Sequence, residues 1–332
     1  MTDSIIFWVV VLAAALFGLV KSSEFMNRSA ERIGLSLGAS PFVVGVILLA
    51  FGTSMPELLT SFIAVAQEQT EIILGNVVGS NITNVFLILG IVGLIQARTI
   101  VFNIKHIQTD LYFLVGSAIL FGLLIMDGTL YLTEGIIMVI GFVAYIWYIA
   151  TNDRSLVEFE LESLSDEELA AHERLEAAKA NAVKATPKDY VIFLISACVL
   201  FFSAEYAVTS VVKMSEQIGI ATEVIATSAV ALGTSLPELV VSVDAVRKDQ
   251  PEMALGNILG SCVFNLFLVA GGAAILGDLH VTEYIRHEAF IFMMIATVFC
   301  FWITREKRLG RFDGIIFMLF YLVFLGRLLG FV

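Results

Sequence analysis

Gly52-Thr53-Ser54-Met55-Pro56-Glu57-Leu58 returns 181 residues later as Gly233-Thr234-Ser235-Leu236-Pro237-Glu238-Leu239. The correspondence extends outward from this stretch. Residues 41–90 align with 222–271 without a gap, and 22 of the 50 positions are identical. A second block matches as Gly75-Asn76-Val77-Val78-Gly79-Ser80 against Gly256-Asn257-Ile258-Leu259-Gly260-Ser261. Asn84 matches Asn265, and Glu24 matches Glu205. The chain is two copies of one unit.

Composition says what kind of unit. Of 332 residues, 58% are hydrophobic and 15% charged, with 26 Phe. Soluble domains carry about 25% charged residues. A chain this apolar is neither soluble, disordered nor a disulfide scaffold; its natural solvent is a lipid bilayer. The net charge of −12 owes much to residues 153–176, and no basic stripe suits nucleic acid. Cys198, Cys262 and Cys300 lie in apolar runs, and the four histidines are scattered, so no Cys/His metal cluster is expected. The first apolar run lacks a basic leader and is expected to be a retained span.

Runs of about 20 apolar residues predict ten spans near 5–26, 40–66, 71–95, 109–126, 130–150, 189–212, 222–246, 252–276, 287–303 and 312–331. The expected fold is an all-α membrane protein of ten transmembrane helices, arranged as two inverted five-helix repeats. An odd number of spans per copy forces the second copy to enter the membrane upside down, as in many secondary transporters. Residues 1–150 form the first repeat, 151–188 an acidic linker with nine Asp/Glu and five Lys/Arg, and 189–332 the second repeat. Sixteen Lys/Arg fall on the face holding that linker and three on the other. This places the linker in the cytoplasm and both termini outside a cell (inner) membrane.

Glu57 and Glu238 fall deep within spans two and seven. A carboxylate at that depth is costly and marks a functional site. Pro56 and Pro237 cannot donate to the carbonyls of Gly52 and Gly233, so the helices must distort and leave spare oxygens. Thr53, Glu57 and Ser61 recur every four residues, as do Thr234, Glu238 and Ser242, which predicts a stripe on each helix. Asn76, Ser80 and Asn84 form a similar stripe on span three, and Asn257, Ser261 and Asn265 on span eight. An all-oxygen site with two carboxylates suits a hard cation such as Ca²⁺ or Na⁺ and disfavours thiophilic metals. Ser61, Ser242, Gly75 and Gly256 are expected to serve helix packing. Glu24 and Glu205 either pair with a nearby lysine such as Lys21 or line an access path. Asp244 is expected in an interfacial ion pair with Arg247 or Lys248.

The doubled Gly-Thr-Ser-x-Pro-Glu and Gly-Asn-x-x-Gly-Ser motifs resemble the two alpha-repeats of sodium/calcium exchangers, in the cation/calcium antiporter superfamily. The chain is similar to a compact prokaryotic-type member, without a large cytosolic insert. The resemblance implies that Glu57 and Glu238 bind Ca²⁺ and serve Na⁺ sites, with Thr53 and Thr234 adding oxygens. It implies Na⁺ ligation by Ser54, Ser80, Ser235 and Ser261, carbonyls from Ala50 and Ala231, and central places for Asn84 and Asn265. Spans one and six are similar to the family's sliding helices. Some members carry Asp at the position of Asn265; here both central positions are Asn, which leaves two carboxylates.

The expected function is Na⁺/Ca²⁺ exchange by alternating access, with Ca²⁺ and Na⁺ as transported ions, no cofactor, no protein partner and no enzymatic activity. An H⁺/Ca²⁺ antiporter is the nearest alternative. A cation channel would not need the inversion. A hydrolase would need a His or Lys base beside Thr53 and Ser54, and none shares their stripe.

Overall fold

The computed structural model describes residues 4–36, 52–95, 100–101, 108–162, 185–248 and 251–331. Helix α1 is Ile5–Ser36 and α2 is Met55–Ala66. Helix α3 spans Thr70–Ile95, with a π-helical stretch at Thr83–Leu89. Strand β1 (Ile100–Val101), α4 (Gln108–Leu124), β2 (Thr129–Leu130) and α5 (Leu132–Glu162) complete the first half. In the second half, α6 is Pro187–Ile218. Helix α7 is broken into α7a (Thr222–Thr234) and α7b (Leu236–Arg247), which are bent by 40°. Helix α8 comprises Pro251–Phe264, a π-helical Asn265–Ala270 and Gly271–Leu276. Strand β3 (Leu279–His280), α9 (Ile285–Glu306), β4 (Arg308–Leu309) and α10 (Arg311–Leu328) follow.

Six of these helices are long and apolar enough to cross a membrane, or seven if the bent pair counts as one span, among the described residues. Of the other expected spans, four and ten correspond to the shorter or more charged α4 and α10. The first part of span two lies outside the described residues, as does most of the 151–188 linker, of which α5 takes up the start.

Local chemistry sets the helix ends. Thr186 caps α6, its N–H donating to Asp189 Oδ2 at 2.8 Å, with Pro187 in the first turn where no N–H is needed. Gly219 closes the other end with φ of +68°.

The two halves pack crosswise. Strand β1 pairs antiparallel with β4, and β2 with β3. Each two-residue sheet therefore joins a loop of one half to a loop of the other. The glycines repeat this exchange. A Cβ on Gly135 of α5 would lie 2.6 Å from the Gly271 carbonyl of α8, and a Cβ on Gly314 of α10 would lie 2.7 Å from the Gly90 carbonyl of α3. Gly90 and Gly271 are repeat mates. Close backbone approach, rather than expulsion of water, is what holds helices together in lipid.

The centre is α3 and α8, whose most apolar stretches are 78% and 83% buried; those of α1 and α6 are 22% and 28% buried. Helices α1 and α6 lie against each other, close enough that a Cβ on Gly18 would meet Ser203 Oγ. Their outer faces, including Phe17, Phe25, Leu194 and Phe202, are exposed to the surroundings.

Candidate cation site

Two helix starts build the candidate site. Helix α2 begins at Met55-Pro56 and α7b at Leu236-Pro237, each with the proline in its first turn. The residue before each start has nearly the same backbone: Ser54 at φ −94°, ψ 12° and Ser235 at φ −82°, ψ 5°. This bridge conformation is sparsely populated and frequent at functional sites. Glu57 and Glu238 then sit in the first turn of their half-helices. The positive end of the helix dipole favours a carboxylate there by about 0.3–1 kcal/mol.

This geometry corrects one expectation. Thr53 does not continue a helical stripe with Glu57 and Ser61, because the chain bends at Thr53 and Ser54 and the helix begins at Met55. Thr234 likewise ends α7a, while Glu238 belongs to α7b. Proline interrupts the helix rather than merely kinking it, so the threonines reach the site from the breaks.

The hydroxyls cross between halves. Ser54 Oγ donates to Glu238 Oε1 at 2.9 Å, and Ser261 Oγ donates to the same oxygen at 3.2 Å. Glu57 lies beside Thr234, Ser235 and the Glu238 carboxylate. Thr53 Oγ1 donates to Asn257 Oδ1 at 3.4 Å, and its mate Thr234 donates to Asn76 Oδ1 at 3.2 Å. Ser80 Oγ also donates to Asn76 Oδ1, at 3.4 Å. Asn257 is held from behind, its Nδ2 donating to Ser242 Oγ at 3.1 Å and to the Glu238 carbonyl at 3.3 Å.

Asn84 and Asn265 are both fully buried, each at or next to the start of a π-helical stretch. Such widened turns frequently mark functional sites. Asn265 Nδ2 donates to Asn81 Oδ1 at 3.3 Å, and Asn81 Nδ2 reaches the carbonyl of its own repeat mate, Cys262, at 3.3 Å. The Ala231 carbonyl accepts from Ser235 N–H at 3.1 Å and from Thr234 Oγ1 at 3.4 Å. Ala50 lies outside the described residues.

The unsatisfied atoms define what the site can do. Glu57 and Glu238 are both 0% exposed. Glu57 Oε1 and Oε2, Glu238 Oε2, Ser235 Oγ, Asn84 Oδ1 and Asn265 Oδ1 are buried oxygens with no hydrogen-bond partner. Buried carboxylates normally find a partner, and orphaned ones need an explanation. Among the described residues no group of three or more His, Cys, Asp or Glu could hold a metal. The donor set is two carboxylates with hydroxyl and amide oxygens, which fits a hard cation.

Other expectations are settled individually. Glu24 pairs with Lys21 at 3.0 Å and Arg28 at 2.7 Å, and Asp244 pairs with Lys248 at 2.6 Å. Gly75 serves packing, since a Cβ there would lie 2.9 Å from the Glu223 carbonyl of α7a. Ser242 does more than pack, because it holds Asn257. The carbonyl of Gly52 is not spare: Ser23 Oγ of α1 donates to it at 2.6 Å. Sequence reasoning missed Ser23, whose repeat mate is Ala204, so comparison of the halves carried no signal. Asn81, whose mate Cys262 departs from it, is expected from the sequence to carry no strong consequence, yet it accepts from Asn265.

The long apolar helices suit an integral membrane protein, and the known proteins that the chain resembles are exchangers rather than enzymes. The chain belongs to the family described as sodium/calcium exchanger protein, which matches residues 7–151 and 188–330. Sodium/calcium exchanger MaX1 of Methanosarcina acetivorans is 32% identical over 95% of this chain and 96% of its own length. Inner membrane protein YrbG of Escherichia coli is 26% identical over 96% of this chain and 95% of its own. A solved structure of the sodium-calcium exchanger NCX_Mj, soaked with Na⁺ and Sr²⁺, matches with a TM-score of 0.62 at 25% identity, covering 96% of this chain and 98% of that one. The chain is accordingly a cation/Ca²⁺ exchanger.

Proposed function

We propose that the protein exchanges Na⁺ for Ca²⁺ by alternating access, with both ions competing for one site built on Glu57 and Glu238. The observation that carries this reading is the set of orphaned buried oxygens around two fully buried carboxylates, one from each half. Thr53, Thr234, Ser54, Ser235, Ser80, Ser261, Asn84 and Asn265 complete the proposed ligand shell, with Ala50 and Ala231 as its outer carbonyls. Two carboxylates neutralise one Ca²⁺ or two Na⁺, and an empty doubly charged site crosses the low-dielectric core poorly.

Energetics bear on stoichiometry. Moving Ca²⁺ out against a ~10⁴-fold gradient and ~100 mV costs about 10 kcal/mol. Each Na⁺ entering down a tenfold gradient returns about 3.7 kcal/mol, so about three are needed. A site that holds only two sustains a shallower gradient.

The proposed topology is ten spans in two inverted repeats, residues 1–150 and 189–332, in the cell (inner) membrane. Both termini lie outside and the 151–188 linker in the cytoplasm. The strand pairs support it. Strands β1 and β4 follow spans three and nine, and β2 and β3 follow spans four and eight. In the ten-span plan each pair therefore shares a face.

Flux into vesicles tests the function. Ca²⁺ uptake is expected to follow an outward Na⁺ gradient and to disappear in Glu57→Gln and Glu238→Gln. Uptake indifferent to Na⁺ but driven by a pH jump in Na⁺-free buffer would replace Na⁺ with H⁺ as the coupling ion.

A further inference from the structure

Helix α1 lies over both breaks, and its contact at Gly52 has a chemistry of its own. The carbonyl of Gly52 immediately precedes Thr53 and Ser54. Pro56 cannot supply the N–H that would close the helical turn on that carbonyl. Ser23 does so instead, its hydroxyl donating at 2.6 Å from a buried position on α1. Among the described residues, the neighbouring Ser22 bonds within its own helix, to the carbonyls of Gly18 at 2.6 Å and Leu19 at 3.2 Å. One turn beyond Ser23, Asn27 crosses Gly52 so closely that a Cβ there would meet the Asn27 amide. On the same face of α1, Leu16 covers Gly233, whose Cβ would lie 2.5 Å from the leucine Cδ1. One strip of α1 thus covers both motif glycines, with a hydrogen bond at one and only hydrocarbon at the other.

Helix α6 has no equivalent donor, because its matching residue is Ala204. Outside that strip α1 lies mostly along α6 or faces outward, and none of the paired strands adjoins either helix. Any shift of α1 relative to Gly52 must break the Ser23–Gly52 bond and leave the Gly52 carbonyl without its donor.

We infer that Ser23 is a positioning residue: a one-sided latch between α1 and the break in span two that biases the equilibrium between the two access states. The inference rests on the exchange reading above. The latch stabilises the arrangement in which α1 covers Gly52 and has no counterpart on the other half, so its loss moves the equilibrium in one direction. Apparent affinity scales with the fraction of the competent state. Depopulating one access state therefore weakens Ca²⁺ binding from one side and tightens it from the other.

The experiment measures the Ca²⁺ KM of exchange separately in right-side-out and inside-out vesicles, for wild type, Ser23→Ala, Ser23→Thr and Ser22→Ala. In Ser23→Ala the two KM values are expected to move in opposite directions, by about three- to tenfold, the range for one net hydrogen bond. Ser23→Thr keeps a hydroxyl and is expected to restore them, while Ser22→Ala leaves them unchanged. Unchanged KM values in Ser23→Ala, or shifts of the same sign on both sides, would overturn the latch. If Ser23→Ala does not assemble, Ser23→Cys decides: a thiol is a weaker donor than a hydroxyl, so the two KM values are expected to split, and no split overturns the inference. Wild-type vesicles that show no Na⁺-driven Ca²⁺ exchange would instead sink the functional reading.

Discussion

Ser54 Oγ lies 2.9 Å from Glu238 Oε1, so a hydroxyl from the broken helix of one half holds the carboxylate of the other. Neither half can form the site alone. Glu57 lies beside Thr234 and Ser235 of the other half, but neither of its carboxylate oxygens has a hydrogen-bond partner. The proposed ligands come from two breaks and two central helices, and each break has a proline, a close-packed glycine and a serine in the bridge conformation.

The first expected outcome concerns the carboxylates. Glu57→Gln or Glu238→Gln keeps the shape and removes one charge. Breaking one side of a buried charge pair costs about 3–5 kcal/mol, so Ca²⁺ affinity is expected to fall by roughly a hundredfold or more. Isothermal titration of purified protein measures this. Thermal unfolding gives a second readout. Wild type at 100 times Kd gains about 2.7 kcal/mol from the ligand, and the variants gain almost none at the same concentration. Wild-type-like Ca²⁺ stabilisation in either variant would remove the glutamates from the site.

A second outcome concerns the crossed bonds. Thr53 with Asn257, and Thr234 with Asn76, are symmetry mates that join the halves. Each threonine hydroxyl thereby meets an amide oxygen of the other half. Double-mutant cycles with Thr→Val and Asn→Ala are expected to give coupling energies of about 1 kcal/mol in Ca²⁺ binding for each pair. Additive effects would show that the bonds do not position the threonines.

The motif glycines supply a third. Gly52→Ala drives a methyl into Asn27 and is expected to cost about 1–3 kcal/mol of stability, the range for overpacking. Shortening the obstacle in Gly52→Ala with Asn27→Ala restores it. Gly116→Ala, where a Cβ meets nothing within 4 Å, serves as the control. A Gly52→Ala protein as stable as this control would refute the close crossing.

Topology is checked independently of transport. In a cysteine-free background, Lys307→Cys next to β4 is expected to react with an impermeant maleimide only from the cytoplasmic face. His280→Cys in β3 reacts only from outside. Both positions are exposed. Labelling of both from one side would break the ten-span plan.

Much of this was legible in the sequence because it was written twice. The repeat singled out Glu57, Glu238 and the hydroxyls around them, and composition demanded a bilayer. Periodicity misled where proline intervenes: four-residue spacing placed Thr53 on a helix that does not begin until Met55. The role of a residue without a repeat mate stayed hidden. Ser23 has Ala204 opposite it and does not appear when the halves are laid together, while the mismatch of Asn81 with Cys262 appears but points to no role. The crosswise pairing of two-residue strands was equally invisible, since so short a segment has no period to read.

Those small sheets and the reciprocal glycine crossings bear on how the molecule could be made. They fasten one half to the other by contacts that do not pass through the polypeptide between them. In the proposed inverted topology, a gene cut within the acidic stretch is expected to yield two fragments, each inserting in its own orientation and docking on its counterpart. The same economy of assembly would let a carrier of this shape arise from two copies of a single short ancestor, before any fusion joined them.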